Sequence, residues 1–356
     1  MPQDFDLRIN GQNIKIIDAR LMQTFDTACD GFTATILCDP VKEPDLYAAL
    51  KPYHAPRSQV YLDGKLTLTG KLTDPGPSKS ASGVVYNIKG FSNTFNFVDS
   101  QLVPPYEKTG LALDKLAVDI ASQTNTRVIF EGSPGGVFER VTAQQGQTGF
   151  EFLNPLAQQR QFSLSCSADG NLLIRQANIS QKPVGTIEEN GQFQEEFSAS
   201  FDYRKRFRTC KIISRRWDGA HESVSTDDNI NDPRHIQVQA NDQVKGGLEA
   251  NASYQLKRRI LESMRKTIPV VGWYAPNNTL WQAGTLVTEI SPTLFNPNGW
   301  TYFINRVEFS YDGSAGKMAN LELIPKEIFS NEPLHEPWFD SDVVDILLQH
   351  QNTRLG

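Results

Sequence analysis

The chain has 356 residues, of which 39% are hydrophobic and 21% are charged, as in ordinary globular proteins, so a wholly disordered chain is excluded. Asp and Glu outnumber Lys and Arg by 41 to 35, and the net charge of −6 argues against a protein whose main task is to hold nucleic acid. Without a long apolar stretch or a basic and apolar leader, we expect no membrane insertion and no secretory signal. At about 150 residues per domain, the length predicts two or three domains.

Four cysteines are few for a chain of this length, and none forms a C-x-x-C motif. The five histidines are scattered along the sequence. We therefore expect neither a disulfide framework nor a structural zinc site. Small buried thiols of this kind are typical of the reducing cytosol, or of a particle assembled there. The four residues are Cys29, Cys38, Cys166 and Cys210.

Residues 1–104 are predicted to form a small antiparallel barrel. Phe5, Leu7 and Ile9 alternate on one face of a strand, and Asn10-Gly11 and Asp63-Gly64 are tight-turn sequences. A short helix is predicted at 46–50 and a polar loop at 74–83. The further strands predicted here are 14–18, 32–38, 59–62, 65–72 and 84–90.

Residues 105–190 are predicted to form an inserted α+β module. Apolar residues recur at helical spacing over 111–122 and again over 150–159, where Thr148 is a suitable N-cap and Pro155 interrupts the pattern. A short strand is predicted at 126–130. Asp169-Gly170 predicts the turn of a hairpin, whose strands are 162–165 and 172–175.

Residues 191–330 are predicted to form a second barrel. One bent strand or two are expected over 197–217, followed by a mobile polar loop at 218–245. Apolar residues every four positions predict a helix over 248–266, ended by Pro269. Four strands follow, at 270–274, 285–290, 303–310 and 318–324. The long hairpins at 66–91 and 301–325 resemble each other, which favours two similar barrels, although all hairpins share such features.

Residues 331–356 are predicted to be a docking arm. Pro333 and Pro337 keep its first part extended, and Trp338 and Phe339 are aromatic anchors. Ser341 is a suitable N-cap for a short helix that carries too many aliphatic residues to stand exposed. The alternative is that the arm folds back on its own barrel. The aliphatic residues are Val343, Val344, Ile346, Leu347 and Leu348.

No catalytic, cofactor or metal site is predicted. Residues 64–72 have five residues between their glycines where a P-loop has four, and Leu72 stands where a hydroxyl must bind magnesium. The acidic run 227–232 lacks the glycine and the glutamate of a calcium loop. Glu188-Glu189 and Glu195-Glu196 are adjacent pairs near a turn, which is typical of surface rather than of a glycosidase cleft.

One basic cluster stands out, and it is interleaved with Tyr203, Phe207 and Trp217 as on a single-strand nucleic-acid platform. We expect it to lie in a strand with Arg204, Arg206 and Arg208 on one face. The acidic stretch 218–232 follows directly and could neutralise it, so salt bridges between subunits are favoured over nucleic-acid binding. The cluster comprises Arg204, Lys205, Arg206, Arg208, Lys211, Arg215 and Arg216.

The pair Gly272-Trp273, followed by Leu280-Trp281 and Val287, is the most specific of several short segments along roughly 5–328. In their order, these segments resemble the Mu-type baseplate hub family of contractile-tailed phages. None is a catalytic motif, so the resemblance rests on order and spacing. The other segments are 90–94 (GFSNT), 97–99 (FVD), 148–150 (TGF), 169–174 (DGNLLI) and 202–207 (DYRKRF).

The resemblance implies a β-rich α+β fold in which two tube-protein-like β-barrels flank a small α+β module. It also implies a homotrimer that acts as a structural adaptor between a hexameric tail tube and a trimeric central spike, without enzymatic activity. The implied location is the tail baseplate of the virion, assembled in the host cytoplasm. The expected partners are the tail tube subunits, the central spike protein, other baseplate proteins, and DNA that passes through non-specifically.

Two alternatives remain open from the sequence: a peptidoglycan-cleaving hub or spike component, and an OB-like protein that binds single-stranded nucleic acid. Trp273 and Trp281 are expected to be core or interface residues of the second barrel. The full set of candidate interface residues is Trp273, Trp281, Arg204, Arg206, Arg208, Trp338, Phe339, Ile346, Leu347 and Leu348.

Overall fold

A computed structural model of the chain describes residues 4–80, 83–189, 191, 198–216, 219–239, 247–314 and 316–330, and the single residues 334, 336 and 338. The chain divides into two units. The first unit comprises Met1–Gln158, Phe162–Gln176 and Glu308–Met318, and the second comprises Gln159–Gln161, Ala177–Val307 and Ala319–Gly356. The division into parts that end at residues 104, 190 and 330 stays a prediction.

The first unit contains an antiparallel sheet in the order β3-β4-β8-β6-β5-β1-β2, with β7 beside β8. Its strands and helices are β1 (Phe5–Ile9), β2 (Gln12–Ile14), β3 (Ile16–Thr24), β4 (Gly31–Leu37), α1 (Pro44–Ala49), β5 (Arg57–Leu62), β6 (Lys65–Asp74), β7 (Pro77–Ser80), β8 (Gly83–Ser92), α2 (Phe95–Asp99), β9 (Glu107–Leu111), α3 (Leu113–Ser122), β10 (Val128–Phe130), β11 (Phe138–Thr142), α4 (Gly149–Gln158), β12 (Phe162–Cys166) and β13 (Leu172–Gln176).

Turn chemistry sets the hairpins of this sheet. Asn10 and Gly11 both have positive φ, at 51° and 84°, and Asp63 and Gly64 repeat the pattern at 48° and 80°. Two successive left-handed residues match the twist of the flanking strands, and Asn, Asp and Gly adopt that conformation most readily. The hairpins predicted at both positions are confirmed, with Ile9 opposite Gln12 and Leu62 opposite Lys65.

The helices α3 and α4 pack with the small sheet β10-β13-β12 around one apolar core. A capping box begins α4: Glu151 N donates to Thr148 Oγ1 at 3.2 Å, and Thr148 N donates to Glu151 Oε2 at 2.9 Å. Pro155 has no N–H for the Glu151 carbonyl, and the Gln147 side chain donates to that carbonyl instead, at 3.1 Å. This explains how a proline is accommodated inside the helix.

The second unit holds strands in the order β15-β19-β22-β21, with β20 between β21 and β14, and a separate sheet β17-β16-β18 packed on α5. Its elements are β14 (Thr186–Glu188), β15 (Ser198–Phe201), β16 (Thr209–Arg216), β17 (Gly219–Thr226), β18 (His235–Gln239), α5 (Gly247–Ser263), β19 (Met264–Val271), β20 (Leu286–Ser291), β21 (Asn296–Asp312) and β22 (Gly316–Pro325). The tip of the β21–β22 hairpin belongs to the first unit.

The β-rich α+β fold class is confirmed, but several details of the prediction are wrong, among them the strand at 270–274, since β19 ends at Val271. The loop predicted at 74–83 contains β7, which pairs with β8. Much of the loop predicted at 218–245 is β17 and β18, because both strands bond to β16. The helix predicted to 266 ends at Ser263, and β19 begins directly after it.

The described sheets do not close into barrels. The strand path of the first unit ends at β2, which pairs with β1 alone, and that of the second ends at β15, which pairs with β19 alone. Both end strands are short, with three and four residues, so they offer few backbone groups for closure. Among the helices of the described ranges, none combines the length and apolar character needed to cross a lipid bilayer.

Candidate interaction site

Arg206 is the centre of a buried charge cluster in the second unit. Its guanidinium forms a two-pronged pair with Glu336, at 2.7 and 3.0 Å, and also contacts Asp227 Oδ2 at 2.5 Å. Asn229 Nδ2 also donates a hydrogen bond to Glu336 Oε2, at 3.3 Å. Burial lowers the pKa of Arg206, but the two carboxylates outweigh it and the net direction is upward. The cluster is therefore a permanent ion pair that fixes residue 336 against the unit.

The local backbone explains why the basic residues point in different directions. Tyr203–Lys205 is a 3-10 turn, not a strand, and its N-cap Asp202 accepts from Arg204 N at 3.1 Å and from Arg204 Nε at 2.9 Å. β16 begins only at Thr209. The expectation that Arg204, Arg206 and Arg208 share one strand face is therefore wrong.

The acidic stretch partly neutralises the basic cluster, as predicted. Asp227 pairs with Arg206, and Glu222 Oε2 lies 2.7 Å from Lys211 Nζ across β16 and β17. Arg208 donates to the Ile230 carbonyl at 2.8 Å. These contacts lie within one unit of one chain, and salt bridging between subunits stays a prediction.

Residues 336 and 338 of the predicted docking arm lie on their own unit. Glu336 is buried on Arg206, and the Trp338 ring lies 5.1 Å from Phe201 and 6.0 Å from Trp300, measured between ring centroids. This is the fold-back alternative for residues 336 and 338. The predicted anchors Phe339, Ile346, Leu347 and Leu348 lie outside the described residues.

A pocket of about 390 Å³, a common size for ligand sites, opens beside Trp338. Three aromatic side chains at its mouth, Phe201, Tyr203 and Phe295, are 44%, 50% and 49% exposed. The pocket is lined by Phe201, Asp202, Tyr203, Arg206, Asn229, Ile230, Ser263, Met264, Phe295 and Trp338. The sequence did not predict this site, because its walls come from five separate segments and the sequence analysis singled out Tyr203, Arg206 and Trp338 without bringing the three together.

Trp273 and Trp281 are both buried in the second unit, with 1% of each residue exposed. Gly272 adopts a positive φ of 86° before Trp273, and Trp281 N donates to the Trp273 carbonyl at 2.9 Å. The bridge between Tyr274 and Leu280 closes the same turn. The structure therefore places both indoles in the interior of the unit, and any contact they make with a neighbouring subunit stays a prediction.

A second buried ion pair lies in the same unit. Lys266 Nζ on β19 is 2.7 Å from Glu289 Oε2 on β20 and 3.1 Å from Tyr302 Oη. Asn296 Nδ2 donates to the same Glu289 oxygen at 2.6 Å. Burial lowers the pKa of Lys266 and raises that of Glu289, while the attraction between the two groups opposes both shifts. Sequence reasoning missed this pair entirely.

A polar cluster is buried in the first unit around Asp30. Its carboxylate accepts from Thr24 N at 3.1 Å, while Asp30 N donates to Ser92 Oγ at 3.2 Å. Ser92 Oγ in turn lies 2.6 Å from Thr94 Oγ1 and donates to Cys29 Sγ at 3.3 Å. Burial raises the pKa of Asp30 to about 7, against the hydrogen bonds from Thr24. The described residues contain no group of three or more His, Cys, Asp or Glu side chains suited to a metal ion.

Comparison with known proteins confirms the resemblance to Mu-type baseplate hubs. Residues 94–176 match the family model described as baseplate hub protein gp44-like, second domain. This segment contains α3, α4 and the β10-β13-β12 sheet. No curated protein sequence matches the chain.

Solved structures of two tail proteins and of a type VI secretion component share the fold over more than nine tenths of the chain. The 43 kDa tail protein of prophage MuSo2 from Shewanella oneidensis is 21% identical, with a TM-score of 0.77, covering 91% of this chain and 99% of its own. The tail protein from Neisseria meningitidis MC58 is 20% identical, with a TM-score of 0.79 and coverage of 92% and 97%. An E. coli type VI secretion component, described as structurally similar to T4 tail proteins gp27 and gp5, is 11% identical, with a TM-score of 0.58 and coverage of 93% and 79%.

Proposed function

We propose that the chain is the structural hub of a contractile phage tail baseplate. The observation that carries this proposal is the agreement of two comparisons: a baseplate hub domain in the middle of the chain, and phage tail protein folds along more than nine tenths of it. In this proposal, the protein acts through the shape of its assembly and through its contacts with neighbouring subunits, not through catalysis. In this reading, the protein is a component of the virion tail, assembled in the host cytoplasm.

The finer proposal is a homotrimer that joins the six-fold tail tube to a three-fold central spike. Each unit has a strand-rich sheet with an end strand that pairs on one side only, β2 in the first and β15 in the second. Each of these edges is only three or four residues long, and a neighbouring copy in a closed symmetric oligomer would cover it by pairing with its unpaired backbone groups. Two strand-rich units per chain and three chains would present six similar surfaces to the tube.

The proposed partners are the tail tube subunits, the central spike protein and other baseplate proteins. Phage DNA would pass through the ring non-specifically. The basic cluster supports no stronger role for nucleic acid, because its central guanidinium, Arg206, is buried between Asp227 and Glu336. A non-enzymatic role is proposed on the same basis as the hub itself, and a zymogram with peptidoglycan tests it: a clearing band would contradict it.

Light scattering on the purified chain tests the trimer. We expect a mass of about 120 kDa, three times the 39.9 kDa chain, in a closed three-fold assembly. If the chain needs the spike to assemble, co-expression with the spike gene should give a complex with three copies of each protein. A monomer in both experiments would contradict the adaptor role.

Electron microscopy of tails that carry a tagged chain tests the location. Gold label should lie on the tail axis at the baseplate end, between tube and spike. Label along the sheath, or at the head end of the tail, would contradict the hub proposal while leaving the fold unaffected.

A further inference from the structure

We propose that the pocket beside Trp338 binds the aliphatic segment 343–348 of its own chain. The segment follows Trp338 by five residues and reads Val-Val-Asp-Ile-Leu-Leu. The occupant is thus part of this polypeptide, and the pocket is the receptor for its C-terminal end. This inference goes beyond the hub function and does not depend on it.

The walls of the pocket suit an aliphatic occupant. Phe201, Phe295 and Met264 supply apolar surface, and the volume of about 390 Å³ accommodates several aliphatic side chains. The rings of Phe201 and Phe295 lie 6.4 Å apart in an edge-to-face arrangement, so they form one continuous aromatic rim. Three half-exposed aromatic residues around one cavity form the kind of apolar patch that marks a binding site.

The backbone of Phe295 adopts a left-handed conformation that a residue with a bulky side chain rarely adopts. Phe295 has φ 62° and ψ 29°, in the left-handed region that favours glycine and asparagine, yet its ring is about half exposed. Strain of this kind persists where the surroundings enforce it and clusters at ligand-binding positions. The strained backbone at Phe295 thus presents an exposed aromatic ring at the rim of the pocket, where an occupant would cover it.

The route of the chain brings the segment to the pocket. Glu336 is clamped by Arg206, and both Arg206 and Trp338 line the cavity, so residue 338 is fixed at its wall. Five further residues reach at most about 17 Å, which is enough to turn back into the opening. A tether this short gives an effective concentration in the millimolar range, which favours docking within one chain over exchange between chains.

Charge complementarity supports the same occupant. The segment is flanked and interrupted by Asp340, Asp342 and Asp345. The turn beside the pocket carries Arg204 and Lys205, both exposed, and Arg204 is paired with the pocket residue Asp202 at 2.9 Å. Carboxylates before and within the segment would then face Lys205 next to the rim, while the aliphatic side chains enter the apolar cavity.

A truncated chain and a peptide test the proposal. The truncation ends after residue 338 and so retains Glu336 and Trp338, and the probe is a fluorescein-labelled peptide of residues 339–356. By fluorescence polarisation, the truncated protein should bind the peptide with micromolar affinity. The full-length protein should bind it at least about tenfold more weakly, because its own segment occupies the pocket. A peptide with Leu347→Asp should not bind.

Tyr53 provides a matched control for the pocket. Like Phe295 it is an exposed aromatic residue at positive φ, 65° against 62°, but it lies in the first unit. Asparagine tolerates this backbone conformation. In the truncated protein, Phe295→Asn should weaken peptide binding at least about tenfold, since the rim ring is lost, and Tyr53→Asn should leave it unchanged.

Four outcomes would overturn the proposal. Three of them concern binding: failure of the peptide to bind the truncated protein, equal binding by the full-length protein, and equal effects of the two asparagine variants. The fourth is a fall in oligomeric mass on truncation, which would show that the segment is exchanged between copies. A truncated protein with unchanged mass that binds the peptide supports docking within the chain, whatever the outcome for the hub.

Discussion

The buried pair of Lys266 and Glu289 gives the sharpest test of the second unit. Lys266→Met removes the ammonium and keeps a side chain of similar length. Glu289 then stays buried with the Asn296 amide but without a cation. Removing one partner of a buried pair costs about 3–5 kcal/mol of unfolding free energy, because the remaining charge is uncompensated.

The double variant Lys266→Met/Glu289→Gln should lose much less unfolding free energy than the two single variants lose together. Glutamine keeps a carbonyl oxygen that accepts from Asn296 Nδ2, which now donates to Glu289 Oε2 at 2.6 Å. With both charges gone, no ion is left buried. We expect a total loss of about 1–2 kcal/mol, and hence a coupling energy of at least about 2 kcal/mol in the double-mutant cycle.

The cost of Lys266→Met should also depend on pH. Burial already raises the pKa of Glu289, and Lys266 opposes that shift, so removing Lys266 raises it further. A carboxyl whose folded pKa exceeds its unfolded one stabilises the fold when protonated and loses that contribution as pH rises through the folded value. The variant should therefore be less damaged at pH 5 than at pH 8.

Chemical denaturation followed by tryptophan fluorescence measures these differences, since Trp273, Trp281 and Trp300 all lie in the second unit. The control is Arg259→Met, which breaks a pair of 2.6 Å with the partly exposed Glu262 and should cost less than about 1 kcal/mol. If Lys266→Met costs no more than this control at pH 8, or if the cycle shows no coupling, the reasoning about burial fails.

Three further predictions concern stability. The pKa of Asp30 is about 7 in the folded protein, above its usual 3.8, so the free energy of unfolding should fall by up to about 4 kcal/mol as pH rises from about 4 to 7. Asp30→Asn should remove this pH dependence, which denaturation curves at pH 5 and pH 8 measure. Glu336→Gln leaves Arg206 with a weakened partner and should cost about 1–3 kcal/mol, whereas an unchanged stability would place residue 336 outside the core. Trp281→Ala should cost about 3–5 kcal/mol by calorimetry, and a retained melting temperature would contradict its burial.

The parts of the fold set by local chemistry could be read from the sequence. Asp169-Gly170 predicted a hairpin, and Gly170 has φ 80° between β12 and β13, whose registers pair Cys166 with Leu172. Thr148 predicted a helix start, and its hydroxyl caps α4. In each case a few adjacent residues specify the backbone, so no distant contact is needed.

Strand β17, within 218–245, could not be predicted in this way. In β17 the side chains alternate between half-buried and exposed, but the half-buried ones are His221, Ser223 and Ser225. Hydrophobic periodicity is the main signal for a strand, and this strand has none. Strand β17 forms because its backbone is hydrogen-bonded to β16. Strand β16 is in turn held in place by the burial of Cys210 and Ile212 against α5. The information therefore lies in tertiary contacts, not in the segment itself.

Two overlapping periodicities explain why the sequence did not predict the buried ion pair of Lys266 and Glu289. Spacing by four, from Leu248 to Met264, favoured a helix through residue 266. In fact Met264 begins a strand whose buried residues recur every two positions, and Lys266 is one of them, between Met264 and Ile268. The alternation from residue 264 onwards places Lys266 on the buried face of a strand. Because a buried charge needs a partner of opposite charge, that pattern predicts a carboxylate next to Lys266.

The basic cluster shows why composition alone misleads about ligands. Seven cations interleaved with aromatic rings predict a nucleic-acid surface if each charge faces solvent. Arg206 instead meets Glu336, 130 residues further along the chain, and a pairing at that separation leaves no trace in local sequence. Because the partner belongs to the C-terminal segment, the same contact that removes the charge from solvent also holds that segment at the pocket. Arg206 is therefore better explained as an anchor for residue 336 than as a contact for a polyanion, and we expect the truncated protein, which keeps Glu336, to show no salt-dependent binding of single-stranded DNA.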